Sequence, residues 1–236
     1  MSERRDQILD AALDIADEEG LGAVTMRAVA SRVGVTAMAL YPHVSGKEDL
    51  LDGLVTRLLA GVALPDASLC WTDRLRELGC SGREALHRHP ALVPLLFAKP
   101  GSTLAARQTA DFIYQALLDA GVPAAQIPRL ERLITTFLLG FVISETSGRF
   151  VAGTAGAQDW RTAAGRDTRL PAHRQLAAVL AEPSWDDEFA ADLDDLIGMV
   201  AGRSAAENAA AENAAVSRGQ PPARPPARPL ASPIAD

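Results

Sequence analysis

Between Thr25 and Leu54 the chain reads TMRAVASRVGVTAMALYPHVSGKEDLLDGL, and no other stretch constrains the fold as strongly. Val29, Ala30 and Val33 fall on one face of a short helix, with Thr25 placed to cap its start. Gly34 stands where a tight turn needs a left-handed residue. Thr36 caps a second short helix that reaches about His43. Ser45-Gly-Lys-Glu48 then spells a capping box, in which the Ser oxygen and the Glu carboxylate each satisfy an orphan backbone donor. It launches a longer helix, Lys47 to about Val62, with Leu50, Leu51, Leu54, Leu58 and Leu59 on a broad apolar face. Upstream, Ile8, Leu9, Ala12, Leu13 and Ala16 form a stripe over about Arg4 to Glu19, and Gly20 ends that helix. Short helices joined by a Gly turn and braced by a longer helix on each side predict a helix-turn-helix.

The rest of the chain keeps the helical period. Aromatic residues make up only 5% of the chain, aliphatics and Ala dominate, and strand-like Val/Ile/Thr alternation is scarce, which predicts an all-α protein. Segments are expected over Thr72 to about Arg88 (open to interruption at Gly79 and Gly82), Pro90 to Phe97, Ser102 to Ala120 and Pro128 to Phe150. The last is apolar around almost its full circumference, so it is expected to be buried on several sides. Residues 152–175 read as a long loop around Trp160. Ser184, with Asp187 in the capping-box position, opens a helix to about residue 203. Beyond it AAENAAAENAA extends that helix weakly, and PPARPPARP is a polyproline-type tail that builds no core. The expected domains are 1–64, 65–203 and an Ala/Pro-rich, disordered tail over 204–236.

The formal charge of −7 argues against a protein that coats nucleic acid indiscriminately. Locally the picture differs. Residues 20–47 carry Arg27, Arg32 and Lys47 and no acid, while Asp10, Asp14, Asp17, Glu18 and Glu19 lie just upstream. The longest apolar run, Phe137 to Ile143, is far short of the roughly 20 residues a bilayer span needs. Met1-Ser-Glu-Arg-Arg-Asp is no secretory leader. A cytoplasmic protein without membrane attachment is expected, with Cys70 and Cys80 as reduced core thiols. His87 and His89 point about 200° apart on a helix, a poor pair for one metal ion. Asp186, Asp187 and Glu188 suit a helix N-terminus. No Ser/His/Asp set, HExxH or Gly-rich phosphate cradle occurs, so neither enzyme activity nor a metal or cofactor is expected.

Residue types around the turn match a reader of double-stranded DNA. Ala37 and Ala39 are small and unobstructive, Met38 projects beside them, and Tyr41, His43 and Lys47 can donate to phosphate oxygens. EEGLGAVTMRAVA, RVGVTAMALYPHV and the start Lys47-Glu48-Asp49-Leu50 closely resemble the DNA-binding domain of the TetR family of bacterial regulators. Leu40-Tyr41-Pro42-His43-Val44 with Lys47 is especially similar to the tetracycline-repressor branch. The resemblance is strong over about 5–60 and rests on helix order and length over 70–203. It implies an N-terminal three-helix bundle carrying the helix-turn-helix, followed by a larger helical domain for ligand binding and dimerisation. It also implies that Arg27 reaches a guanine edge, that Ala37 and Met38 face bases, and that Thr25, Thr36, Tyr41, His43 and Lys47 belong to the DNA-contacting set. The tetracycline branch has a longer polar side chain at Ala37, so a different operator is expected. On the residues alone, Met38 as core and Arg27 as an ordinary solvated residue stay open.

The same resemblance implies a homodimer, with 128–150 and 185–203 of each subunit forming a four-helix bundle, a palindromic operator and a small-molecule effector enclosed by 90–150. Phe97, Phe112, Ile113, Phe137 and Phe141 are candidate walls, and Gln108, Thr109, Gln115 and Ser144 candidate orienting groups. Val93-Pro-Leu-Leu-Phe97 lacks the His with which the tetracycline branch holds its drug–magnesium chelate. A more apolar effector without metal is therefore expected. Repression relieved by that effector is the leading reading, through the helix from Lys47; an activator, or a regulator without effector, is the alternative.

Overall fold

The computed structural model describes residues 3–147, 169–176 and 184–217. Among them every regular element is helical. The head comprises α1 (Glu3–Glu19), a three-ten turn (Leu21–Ala23), α2 (Met26–Val33), a second three-ten turn (Ala37–Leu40) and α3 (Lys47–Ala60). The body follows with α4 (Trp71–Arg88), a three-ten turn (Pro90–Leu92), α5 (Val93–Ala98), α6 (Leu104–Asp119), a three-ten turn (Ala124–Gln126), α7 (Ile127–Thr146), α8 (Pro171–Leu176) and α9 (Trp185–Ser217). No described helix is long and apolar enough to cross a membrane.

The head folds around its aliphatics. Ile8, Leu9 and Ala12 of α1, Val24, Val29 of α2, Leu40, and Leu50, Leu54 and Val55 of α3 are all fully buried. Thr25 Oγ1 accepts the Ala28 N–H at 3.1 Å, capping α2. At its other end Gly34 takes φ 78°, and the Val35 N–H reaches the Ala30 carbonyl at 2.9 Å. That pairing closes the helix and satisfies carbonyls otherwise left open.

Two local expectations shift. The second short helix is only a three-ten turn over Ala37–Leu40, and Thr36 makes no side-chain capping bond. Pro42 has no N–H to bond back to Met38, so the helical ladder lapses there and the chain turns, with the His43 N–H on the Leu40 carbonyl at 2.8 Å. Ser45 does not cap α3 either. The cap position is Gly46, and the reaching-back carboxylate is Asp49, whose Oδ2 accepts the Ser45 N–H at 2.8 Å. Glu48 turns away to Lys99.

In the body, α4 runs through Gly79 and Gly82 without interruption. A Cβ at Gly79 would lie 2.9 Å from Leu193 Cδ2, and one at Gly82 2.9 Å from Leu138 Cδ2. The two glycines let α9 and α7 approach α4; they do not break it. Thr103, not Ser102, caps α6, accepting the Ala106 N–H at 3.1 Å. Cys70 and Cys80 are exposed thiols rather than core residues. Ser204 and the residues after it, assigned above to a tail, continue α9 to Ser217, as the high helix propensity of Ala and Glu favours. Pro171–Leu176 forms α8 where a loop was expected. The helix expected over 128–150 runs from Ile127 and ends at Thr146, with Ser147 as its C-cap; the remainder of that loop with Trp160 and the polyproline tail lie outside the described residues.

Head and body share a core. Leu86 of α4, Leu92, Val93 and Leu95 around α5, and Leu139 and Val142 of α7 belong to the same buried apolar cluster as the head's aliphatics. A second cluster, centred on Ile113, Leu117, Leu130, Phe189, Leu193 and Val200, lies within α4, α6, α7 and α9.

Candidate nucleic-acid interface and adjoining cavity

The acid-free stretch forms one solvent-facing surface because its apolar members are drawn inward. Leu40 and Val44 are buried, while Met38 is 75% and Tyr41 49% exposed. Thr25, Arg27, Thr36 and Lys47 are exposed as well, and Ala37 and His43 are half-buried. Met38 is therefore not a core residue. Ala37 packs against the head core, so it offers only part of its small surface.

Ion pairs decide which charges face outward. Arg57 of α3 binds Asp6 at 3.0 Å and Asp10 at 3.1 Å. Arg32 Nη2 lies 2.7 Å from Glu18 and 3.6 Å from Glu19, and His89 Nδ1 lies 2.8 Å from Asp17. Asp6, Asp10, Asp17, Glu18 and Glu19 of α1 are thus each held by a basic side chain on another element. Arg32, counted above with the basic residues of the stretch, is spent on that task. Arg27 and Lys47 make no ion pair among the described residues. Arg5 ties the whole assembly at its hinge: Nη2 binds Asp49 Oδ1 at 2.6 Å, and Nη1 donates to the His43 carbonyl at 2.5 Å. The Arg5 bond, then the Ser45 N–H, lower the Asp49 carboxyl to about 2. A surface with two unpaired cations, a phenol, an imidazole and hydroxyls, and no acid, can accept an array of phosphates.

Behind the head lies a cavity of about 680 Å³ of atom-free space, part of it open to solvent. Leu59 and Val62 at the end of α3 line it, with Leu75 and Leu78 of α4, Ile134 and Phe137 of α7, and Phe189 and Leu193 of α9. Its side-chain polar atoms come from Thr109 and Thr135. Of the residues proposed from sequence, Thr109, Ile113 and Phe137 are in this lining; Phe97, Gln108, Phe112, Gln115, Phe141 and Ser144 are not. Gln108 and Gln115 lie on the outward side of α6, and Gln115 donates to Asp119 at 3.0 Å. Phe97 is 46% exposed in the last turn of α5. Ser144 only offers its carbonyl, to Ser147 Oγ at 3.4 Å.

Phe141 belongs instead to a ring cluster beside a half-buried ion pair. It meets Phe189 at 5.0 Å and Trp185 at 5.4 Å between centroids. The Arg83 guanidinium sits over Phe189 at 4.9 Å and binds Glu145 at 2.5 Å and Asp186 at 2.8 Å. His87 Nε2 also meets Glu145 at 2.5 Å. Burial pushes the Glu145 carboxyl up, but the Arg83 and His87 bonds outweigh it and leave it below the ordinary range. The cluster pins α4 to α7 and α9.

The likenesses to known proteins follow the same division. The family profile described as bacterial regulatory proteins, tetR family, matches residues 8–54. The profile described as tetracyclin repressor-like, C-terminal domain, matches residues 64–199. An HTH-type transcriptional regulator of Saccharopolyspora erythraea is 30% identical over 156 residues, 65% of this chain and 66% of that protein. The class D tetracycline repressor protein of Escherichia coli is 38% identical over 88 residues, 36% of this chain and 40% of the repressor. This chain thus spans between two fifths and two thirds of the length of these relatives. Among solved structures, ActR of Streptomyces coelicolor in complex with actinorhodin superposes with a TM-score of 0.74 at 24% identity, covering 86% of this chain and 99% of that one.

Proposed function

The chain belongs to the TetR family of bacterial regulatory proteins, and from that premise we propose that it is a transcriptional repressor. In this reading it binds a palindromic DNA operator as a homodimer and releases it when a small, largely apolar molecule fills the cavity behind the head. One observation carries the reading: the acid-free, outward face from Thr25 to Lys47. Arg27 makes the bidentate pairing that guanine O6 and N7 invite. Met38 and the accessible part of Ala37 meet base edges, with thymine methyls the natural partner for the thioether. Thr25, Thr36, Tyr41, His43 and Lys47 hold the sugar–phosphate backbone.

Several features support the rest of the proposal. Leu133 and Ile143 of α7 are 39% and 37% exposed, on the face that also carries Thr136 and Gly140. A Cβ at Gly140, or at Gly198 or Gly202 of α9, would meet nothing within 4 Å. Small and greasy residues on two long helices suit close packing against a second copy. The apolar cavity has the composition of a ligand site with few polar anchors, and ActR, of similar fold, holds actinorhodin. α3 joins the two functions, with Lys47 at one end and Leu59 in the cavity wall at the other. A ligand that favours the conformation with displaced heads lowers operator affinity by its differential affinity for the two states.

Selection from random double-stranded DNA is the test, and it should return an inverted repeat. Arg27→Ala should weaken that complex about tenfold or more and relax one base position, while light scattering still gives a dimer. Lys47→Ala should lower the salt slope by about one. Recovery of no inverted repeat at moderate salt would sink the proposal.

A further inference from the structure

The cavity behind the head has an antechamber. A second space of about 520 Å³, also partly open to solvent, shares Leu59, Leu96, Thr109, Ile113 and Thr135 with the first. The two spaces therefore adjoin along these five residues. The outer lining adds two charged side chains, Lys99 beyond α5 and Glu131 of α7.

These two charges are not equivalent. Lys99 Nζ is held by Glu48 at 2.5 Å and Asp52 at 3.0 Å, and those bonds raise its affinity for its proton. One positive charge there answers two negative ones. Glu131 is half-buried and accepts the Thr135 hydroxyl at 3.0 Å, but has no cationic partner among the described residues. The four groups together carry two net negative charges at the mouth of an apolar chamber, and Arg107, which donates to the Gly101 carbonyl of the outer lining at 2.9 Å, offsets one of them. An arriving anion would have to take Lys99 from two carboxylates while approaching a third. An arriving cation finds a carboxylate with no counter-ion beside low-dielectric walls, where charge pairing is stronger than in water.

We propose that the site takes an amphipathic cation, with its rings or alkyl body in the inner chamber and an ammonium group against Glu131. Thr135 sets the carboxylate's position by donating to Oε1, which keeps the other oxygen free to face the ammonium. The proposal rests on the ligand-responsive reading above and narrows its effector from an apolar molecule to an apolar molecule with one positive charge.

The trimethylammonium and propionate derivatives of diphenylhexatriene share one apolar body and differ in the sign of the end group. Fluorescence titration of the full chain should give the trimethylammonium probe roughly tenfold tighter binding than the propionate. Glu131→Gln should bring the two affinities together, and Glu131→Lys should reverse their order, with thermal midpoints close to the parent's. Equal affinities in the parent chain, no binding of either probe, or a preference that survives Glu131→Gln would each overturn the inference. Operator binding is measured on the same samples without probe. Its loss would defeat the repressor reading while the charge preference stood, and intact operator binding without a preference would defeat only the charge assignment.

Discussion

In the head, Leu9 is fully buried and lies so close to α3 that a Cβ on Gly53 would sit 2.3 Å from its Cδ2. In the body, Leu193 and Leu138 leave a Cβ on Gly79 or Gly82 only 2.9 Å, yet about 680 Å³ stays open beside them. Both regions use aliphatic side chains on short-looped helices. The head closes them more tightly, leaving a smaller, partly open space of about 320 Å³ beside Leu9 and Gly53, and holds its charges at the rim. The body gathers its rings and its half-buried ions around Arg83 and Glu145, and leaves a hollow against Phe137 and Phe189. Packing and room are thus weighted differently along the chain: the region with the DNA-facing surface is the more tightly filled, and the region with the cavity retains space for a guest.

Large-to-small substitution should separate the two regions most clearly. Leu9→Ala is expected to cost about 3–4 kcal/mol in urea unfolding, because its neighbours cannot collapse into the gap. Leu138→Ala, half-exposed at the edge of an existing void, should cost roughly 1 kcal/mol; equal losses would break the contrast. Next in size is Glu145→Ala, expected to cost about 2–3 kcal/mol by leaving Arg83 and His87 without their shared carboxylate, softened by the remaining Asp186 contact. Small-to-large changes should diverge in the opposite sense. Gly53→Ala gains helix propensity but overpacks Leu9, for a net loss of about 1–2 kcal/mol. Leu75→Phe at the cavity wall should change stability by no more than about 1 kcal/mol while shutting out an apolar probe.

The smallest effect is electrostatic and belongs to the head. The Asp49 carboxyl is lowered to about 2 from an ordinary 3.8. Its contribution is therefore fully present above the unfolded value and is lost as pH falls through the folded one. Acid titration of stability should show the parent exceeding Asp49→Asn by on the order of 1 kcal/mol above about pH 5, with the gap closing toward pH 2. A gap that persists at pH 2 would mean packing, not charge, is what the substitution removed.

The legible parts of the fold were those fixed by near neighbours. Thr25 as a cap and Gly34 as a left-handed terminator depend on a few residues either side, and both stand as read. Ser45 and Glu48 satisfy a local pattern equally well, but Arg5, 44 positions away, selects Asp49, so the register moved by one residue. Pro42 was visible, and its lack of a donor explains the shortened turn. In the cavity, the side of α6 that faces inward is set by its rotation against α7. Gln108 and Gln115, seven apart, share the outward side; Thr109 and Ile113, four apart, share the inward one. Periodicity exposes both stripes, and only the apolar company of Ile113 marks the second. Glu131 and Thr135 were missed, although four residues apart on one helix they had the spacing of a side-chain pair. Nothing local, however, tells that their stripe borders a void.

The length of α3 sets a mechanical scale. Fourteen residues at 1.5 Å each make a rod of about 20 Å. A guest that pushes the Leu59 end aside by about 1 Å turns such a rod about its middle by only about 6°, and carries its far end an equal distance. Hydrogen bonds to base edges keep to a window of roughly half an ångström. The coupling then needs no large motion: a nudge the width of a bond already exceeds the tolerance of the instrument it disturbs.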